Sequence, residues 1–288
     1  MLELPLWIFA ETEDFPFFIQ YGFHEEECEL HGHQDFSELV VVLEGSAMHI
    51  VEQEKYPIAE GDVFVIDQYT HHRYVEAKNF KICNIMFRPG YMFANLHHIR
   101  QNIGFQALFI LEPYYAQNHH FCSRLRLKLE DFTAIRKLLA EMIQEHTQKP
   151  SGWQTLIYAK FIQLCIVLSR LYQTYDNQQD NNIFKLAAAV AHIEQNYCSH
   201  IDISQLAQLA GYSERQFGRL FKAAFSTTPN LYIMNLRLQK AQQLLKNSNL
   251  TIGEISWNCG YSDQNYFSRI FKRYVGLTPT EYQENVLG

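Results

Sequence analysis

Two groups of residues in this 288-residue chain have types and spacings that could do chemistry. The first is His31-Gly-His33 with Glu38 five residues on, then His72 and Asn84 further along. Side chains two apart on a strand share a face, so His31 and His33 present both imidazoles to one side. Such rings with a carboxylate suit a shared transition metal or the hydroxyls of a polar molecule. The spacing leaves open whether His71 or His72 joins them.

The second group occurs twice. Gly211-Tyr-Ser-Glu-Arg-Gln-Phe-Gly-Arg-Leu-Phe-Lys222 returns as Gly260-Tyr-Ser-Asp-Gln-Asn-Tyr-Phe-Ser-Arg-Ile-Phe-Lys272. The glycines are 49 apart, and Phe217/Phe267, Arg219/Arg269, Phe221/Phe271 and Lys222/Lys272 are 50 apart after one inserted residue. Pro229/Pro279 and Tyr232/Tyr282 keep the offset of 50. A match sustained at one offset marks a duplicated structural unit.

Each copy has the layout of a helix-turn-helix. Ile203, Leu206, Ala207 and Leu209 pattern a short helix capped by Asp202. Gly211 supplies the tight turn, because glycine takes positive φ freely. Ser213 caps the next helix, with Phe217, Leu220 and Phe221 inward and Arg215, Gln216 and Arg219 outward. The second copy repeats the scheme. Ile252, Ile255 and Ser256 form the first helix, Gly260 the turn and Ser262 the cap. Phe267, Ile270 and Phe271 form the core, leaving Gln264, Asn265, Ser268 and Arg269 exposed. Arginine pairs bidentately with guanine, and glutamine or asparagine with adenine, in the major groove. A helix over about 230–246 separates the copies. At 1.5 Å per residue it is a strut about 25 Å long, fit to hold two recognition helices about one DNA turn, roughly 34 Å, apart.

Charge follows the same division. The chain carries a net −7, split as −10 over residues 1–182 and +3 over residues 183–288. Phosphate binding needs local positive charge, not a basic whole. The six cysteines, at 28, 83, 122, 165, 198 and 259, form no CxxC pair. That argues against a zinc finger or disulfide framework and fits a reduced cytoplasm. No run approaches the roughly 18–20 uninterrupted apolar residues of a membrane span, and the first residues lack a basic leader region.

The elements that must position these groups fall into three regions. Residues 15–90 read as short strands: a β-branched run at 37–43, a turn at Glu44-Gly45, a strand at 47–51, a turn at Gly61-Asp62 and a strand at 63–66. Such spacing predicts a sandwich or barrel. Residues 131–148 and 153–172 have helical period. No element is assignable over 91–130. The polar stretch at 176–182 reads as a linker, and the rest is helical, with Pro229 and Pro279 each opening a helix after a threonine.

The last hundred residues resemble the DNA-binding domain of the AraC/XylS family of transcription regulators, most specifically in Gly260 to Lys272 with Gly276-Leu-Thr-Pro-Thr-Glu-Tyr282. The resemblance implies base contacts at Arg215, Gly218 and Arg219 in the first copy and at Gln264, Asn265 and Arg269 in the second; Gly218 has no side chain to read with, so the first helix leans on Arg215, Gln216 and Arg219. Ser268 and amides at the helix starts would hold phosphates. In the first copy Ala223-Ala-Phe-Ser-Thr-Thr-Pro departs from the family's basic, glycine-containing stretch.

The His31/His33/Glu38/Gly45 pattern resembles the first motif of the cupin β-barrel, with His72 in the place of the second. Asp67 and Tyr69 stand where the second motif has Pro and Gly. The amino-terminal pattern as a whole is similar to the rhamnose-responsive branch of the regulators. This implies an effector pocket of His31, His33, Glu38, His72 and Asn84, with a sugar as the leading effector; metal binding by His31, His33, Glu38 and His72, and histidines that serve only the structure, are the two minor readings. The expected protein is α+β and multidomain. Residues 1–130 form a cupin-like effector-binding β-barrel, 131–176 a helical dimerisation segment, 177–182 a linker and 183–288 a tandem helix-turn-helix domain. It is expected to be cytoplasmic and not an enzyme, with no cofactor. Its partners would be double-stranded DNA, a small-molecule effector, RNA polymerase and a second copy of itself, with no membrane. The rival readings are a metal-dependent cupin enzyme fused to a DNA-binding domain, and a constitutive DNA-binding protein with a structural barrel.

Overall fold

The computed structural model describes every residue except 1, 11–13, 25–28, 53, 69, 95, 114–124, 177–181 and 288. Cys28, Cys122, Tyr69 and all but Asn182 of the expected linker therefore lie outside the described residues. The chain divides into two compact units, Met1–Ala187 and Ala188–Gly288.

The first unit is built on one mostly antiparallel sheet. Its strands are β1 (Leu2–Leu4), β2 (Phe17–His24), β3 (His31–His33), β4 (Ser37–Val51), β5 (Glu54–Ala59), β6 (Asp62–Ile66), β7 (His72–Phe87) and β8 (Leu125–Arg126). The ladder runs β1-β3-β7-β4-β6-β8, with β2 added to β7 and β5 to β4. Strands β4 and β7, of 15 and 16 residues, pair along almost their whole length and change partners halfway.

The expected turn at Glu44-Gly45 is instead a bend within β4. The β4–β7 register shifts between Val42 and Glu44, again before Ser46 and again before Met48. Gly45 sits at φ +72°, and a Cβ there would lie 2.2 Å from the carbonyl oxygens of Lys78 and Asn79. The glycine thus marks a bulge with close backbone approach, a role that shares the turn's signature in sequence. Gly61, at φ +86°, does turn the chain from β5 into β6.

Leu39, Val40, Val41 and Val42 are all fully buried, which explains why this strand reads as an unbroken apolar run. Val40 and Val42 join Phe64, Ile66, Tyr74, Phe80 and Ile82 in one cluster inside the bent sheet. The opposite face is covered by helices. Phe161 packs on Phe17, Phe87 and Phe93 with ring centroids 5.5, 4.9 and 5.9 Å away. Helix α1 (Leu129–Gln148) starts two residues before Asp131 and buries Phe132, Ile135, Leu139 and Met142. Helix α2 (Trp153–Asp176) buries Ile157, Phe161, Leu164, Cys165, Leu168 and Tyr172. Over Trp153–Thr174 it is the one described helix long and apolar enough to cross a membrane; its apolar stripe is core packing against the sheet. The unassigned 91–130 region contains short helical turns and a π-helix at Gln106–Leu111, too short and irregular to print a period on the sequence.

The unit boundary falls inside α3 (Asn182–Asn196). The second unit continues with α4 (Ile203–Leu209), α5 (Glu214–Phe225), α6 (Pro229–Asn247), α7 (Ile252–Asn258), α8 (Gln264–Val275) and α9 (Pro279–Leu287). The caps at Asp202, Ser213 and Thr228 all accept backbone amide bonds. The expected cap at Ser262 is corrected by one residue. Asp263 caps α8, its Oδ1 accepting from the amides of Asn265 at 2.7 Å and Tyr266 at 3.1 Å. The inserted residue of the second copy shifts the helix start. Asp263→Ala should therefore destabilise the second unit by about 0.5–2 kcal/mol, and Ser262→Ala by far less. Equal melting temperatures for the two variants would contradict this cap.

Candidate nucleic-acid interface and effector cavity

The two helix-turn-helix copies repeat each other in packing as well as in sequence. Phe217 and Phe221 stand 5.7 Å apart at 54°, and Phe267 and Phe271 stand 5.7 Å apart at 58°. Phe221 meets Tyr232 edge-on at 5.4 Å and 76°, and Phe271 meets Tyr282 at 5.5 Å and 79°. All four phenylalanines are fully buried. Ala207 and Ser256 are buried where the paired helices approach, which explains why both positions are small. Gly211 and Gly260 carry φ values of +73° and +83° at the two turns.

With the aromatic side fixed inward, helical geometry sets the opposite side. Arg215, Gln216 and Arg219 on α5 are exposed, as are Gln264, Asn265 and Arg269 on α8; Ser268 is half-buried. Leu220 and Ile270 are half-buried, and Ile270 packs against the core cluster of the second copy. At the start of α8 two of the amides expected to hold phosphate, those of Asn265 and Tyr266, are taken by the cap. The Asp263 carboxylate already accepts two of them and adds a negative charge. Ser213, in the matching place on α5, is neutral.

In the first unit a cavity of about 240 Å3 opens on the inner face of the sheet. Its wall includes His31, His33, Glu38, His72 and Asn84, five residues from three strands. The ladder accounts for the convergence. His31 is the register partner of His72, and Asn84 is the partner of both Gln20 and Val40. His72, and not His71, faces the cavity. His71 instead contacts Glu3 at 2.7 Å and Glu52 at 3.5 Å near the surface.

The donors are close. His33 Nε2 lies 3.3 Å from His72 Nε2, and Glu38 Oε2 lies 3.8 and 3.7 Å from those same atoms. Burial pushes the Glu38 carboxyl up to about 8. Burial, with smaller contributions from His31 and His71, pushes His33 down to about 3. The His33–Glu38 contact is therefore between neutral groups at pH 7, not an ion pair.

Sequence reading missed the rest of the wall: Gln20, Glu29, Phe36, Tyr74 and Met86, with Leu2, Leu4 and Phe9. Tyr74 was within reach, since it lies two residues from His72 on the same strand face. Gln20 was not, because it faces Asn84 only through the β2–β7 register. His49, behind the wall, places its Nε2 3.3 Å from His72 Nδ1.

Comparison with known proteins covers both regions of the chain. Residues 17–155 match the family described as AraC-like ligand binding domain, and residues 206–285 match a helix-turn-helix domain. The HTH-type transcriptional activator RhaR of Mannheimia succiniciproducens is 28% identical over 290 aligned positions, covering 100% of this chain and 98% of that protein. The HTH-type transcriptional activator RhaS of Enterobacter sp. is 25% identical, covering 88% of this chain and 86% of that protein. A crystal structure of a transcriptional regulator with an AraC-type DNA-binding domain from Chromobacterium violaceum is 34% identical over 35% of this chain and 91% of its own, at a TM-score of 0.33. With a match to an AraC-like ligand-binding domain followed by a duplicated helix-turn-helix, and likeness to RhaR over its whole length and to RhaS over 88% of it, the chain has the domain organisation of the AraC-type transcription regulators.

Proposed function

We propose that the chain is a sequence-specific transcription activator. Residues 183–288 read DNA, and the cavity of the 1–130 sheet domain takes a small polar effector, a sugar foremost. The observation that carries this reading is the matched exposure of Arg215/Gln216/Arg219 and Gln264/Asn265/Arg269 over two cores of the same geometry. Solvent-exposed arginine, glutamine and asparagine on a helix of this motif reach base edges when it enters a major groove. Helix α6, at 19 residues, is a strut about 28 Å long. It would present α5 and α8 to successive major-groove segments on one side of the duplex, so one chain would read an asymmetric site.

The cavity is smaller than the roughly 300–1,000 Å3 of sites for drug-sized ligands. It is lined by hydrogen-bonding groups on one side and by Phe36, Tyr74 and Met86 on another, a mixture that suits one sugar ring. The effector shifts the balance between two arrangements of the chain through its greater affinity for one of them. Helices α1 and α2, in the 131–176 segment, serve dimerisation. RNA polymerase is the partner of the DNA-bound activator, which works in the cytoplasm.

Titration of the full chain with duplexes carrying candidate sites tests the first half. Affinity should fall about 10³-fold or more between 50 and 200 mM salt, as expected for roughly six or more phosphate contacts. A panel of sugars in a thermal-shift assay tests the second. One sugar should raise the melting temperature, and Asn84→Ala, which removes a buried hydrogen-bonding group from the wall, should weaken that response about 2–10-fold while DNA affinity is unchanged. Stoichiometric metal with turnover of a substrate would favour the enzyme reading instead.

A further inference from the structure

The second unit contains a cavity of its own that base reading does not use. It measures about 600 Å3, within the range of small-molecule sites. Its wall is made by the first half of α6, by His200 and Ile201 after α3, and by Tyr261, Tyr266 and Tyr274 in and before α8. At about 100° per residue, Tyr274 stands on the opposite side of α8 from Asn265, nine positions earlier. Part of the wall therefore lies behind the exposed stripe of Gln264, Asn265 and Arg269.

The wall is rich in hydrogen-bond donors and includes no Asp or Glu. Arg237 supplies a fixed positive charge. Two of its five N–H groups are used: Nε donates to the Tyr197 carbonyl at 2.6 Å and Nη2 to the Ser199 carbonyl at 2.8 Å. Both acceptors are neutral, and among the described residues no carboxylate pairs with the guanidinium. The two bonds fix its plane and leave the charge uncompensated. Beside it, 5.4 Å from the guanidinium carbon, is the centre of the Tyr261 ring. Tyr261 is 7% exposed, and its buried hydroxyl has no hydrogen-bond partner among the described residues. Burial holds that hydroxyl up at about 12, so it is an O–H donor at neutral pH. Leu231, Ile233 and Met234 give the same cavity an apolar side.

We propose that this cavity binds a small organic anion, its carboxylate or phosphate group on Arg237 and the Tyr261 hydroxyl and its apolar body against Leu231, Ile233 and Met234. A planar guanidinium fork matches both kinds of oxyanion. The occupant touches α6 and α8 together, so it stabilises the folded second unit by mass action. The site is separate from the sheet cavity and from the exposed arginines of α5 and α8, so its failure would leave the DNA and effector readings intact.

The test uses the full chain at fixed ionic strength, with cyclohexanecarboxylate and phenyl phosphate as probes and cyclohexanecarboxamide as the neutral control. At least one anion should bind saturably in ligand-observed NMR and raise the melting temperature. The amide should bind at least about 10-fold more weakly than that anion, for want of a charge-assisted hydrogen bond. Tyr261→Phe deletes a hydroxyl with no partner in the protein, so it should not lower the melting temperature of the free chain, yet should weaken the anion about 3–10-fold. Arg237→Lys keeps the charge and loses the fork, and should weaken it about 10-fold. If Arg237→Lys does not fold, Tyr261→Phe decides by itself. Saturating duplex DNA should leave the anion affinity unchanged. Absence of saturable binding for both anions, or equal binding of the amide, would overturn the proposal. So would binding that Tyr261→Phe and folded Arg237→Lys both retain. Loss of anion affinity on adding the duplex would assign the cavity to a DNA phosphate and would equally overturn it.

Discussion

A single methyl group added at Gly260 is expected to abolish the second helix-turn-helix. The residue sits at φ +83°, where an L side chain costs roughly 1–2 kcal/mol. The larger cost is steric. A Cβ there would lie 2.3 Å from the Cys198 carbonyl oxygen, 2.7 Å from its carbon and 3.0 Å from its Cα. These are backbone atoms, so no rotamer relieves the overlap, and the turn between α7 and α8 must move. Displacing that turn opens the cluster of Ile255, Cys259, Tyr261, Phe267 and Phe271. We expect Gly260→Ala to cost more than about 3 kcal/mol, combining positive-φ strain with overpacking, and to eliminate specific DNA binding. Gly276 is the matched control. It lies at φ +89°, but an added Cβ meets nothing within 4 Å. Gly276→Ala should lose only about 1–2 kcal/mol. Equal melting temperatures for the two variants would show that the close approach at Cys198 is absent.

Arg269→Ala should weaken binding to the preferred site by about 1–3 kcal/mol, a factor of roughly 5–150, and relax specificity at one base pair. Folding should be untouched, because Arg269 is exposed on the side of α8 opposite Phe267 and Phe271. Arg219 occupies the same place on α5, so Arg219→Ala should relax specificity in the other half of the site. Arg237 provides the contrast. It donates to the carbonyls of Tyr197 at 2.6 Å and Ser199 at 2.8 Å and lies over the Tyr261 ring. Arg237→Ala should lower the melting temperature and weaken all sequences alike. Binding selections on randomised duplexes separate these outcomes. An unchanged base preference for Arg269→Ala would place α8 outside the groove.

What the sequence made legible was the part written in local spacing. The duplicated Gly–Phe–Arg–Phe–Lys frame places buried rings and exposed arginines on opposite sides of a helix whatever the rest of the chain does, because helical period alone decides it. The cavity's histidines were legible for a similar reason, His-x-His on a strand. What stayed hidden depends on register or on a conformation that several motifs share. Gln20 faces Asn84 only once β2 pairs with β7. The choice between His71 and His72 rests on which residue enters the β7 ladder. Gly45 has the same positive φ in a bulge as in a turn, so its neighbours, not its type, distinguish them. Ser262 and Asp263 are adjacent good caps, and one inserted residue selects the second.

The most direct measurement is a hydroxyl-radical footprint of the full chain on its preferred duplex, repeated with five base pairs inserted at the centre of the site. Two protected segments about 10 base pairs apart on one face of the DNA are expected, with the insertion removing one segment and most of the affinity. One protected segment on the original duplex, or affinity indifferent to the insertion, would contradict a chain that reads two grooves with α5 and α8.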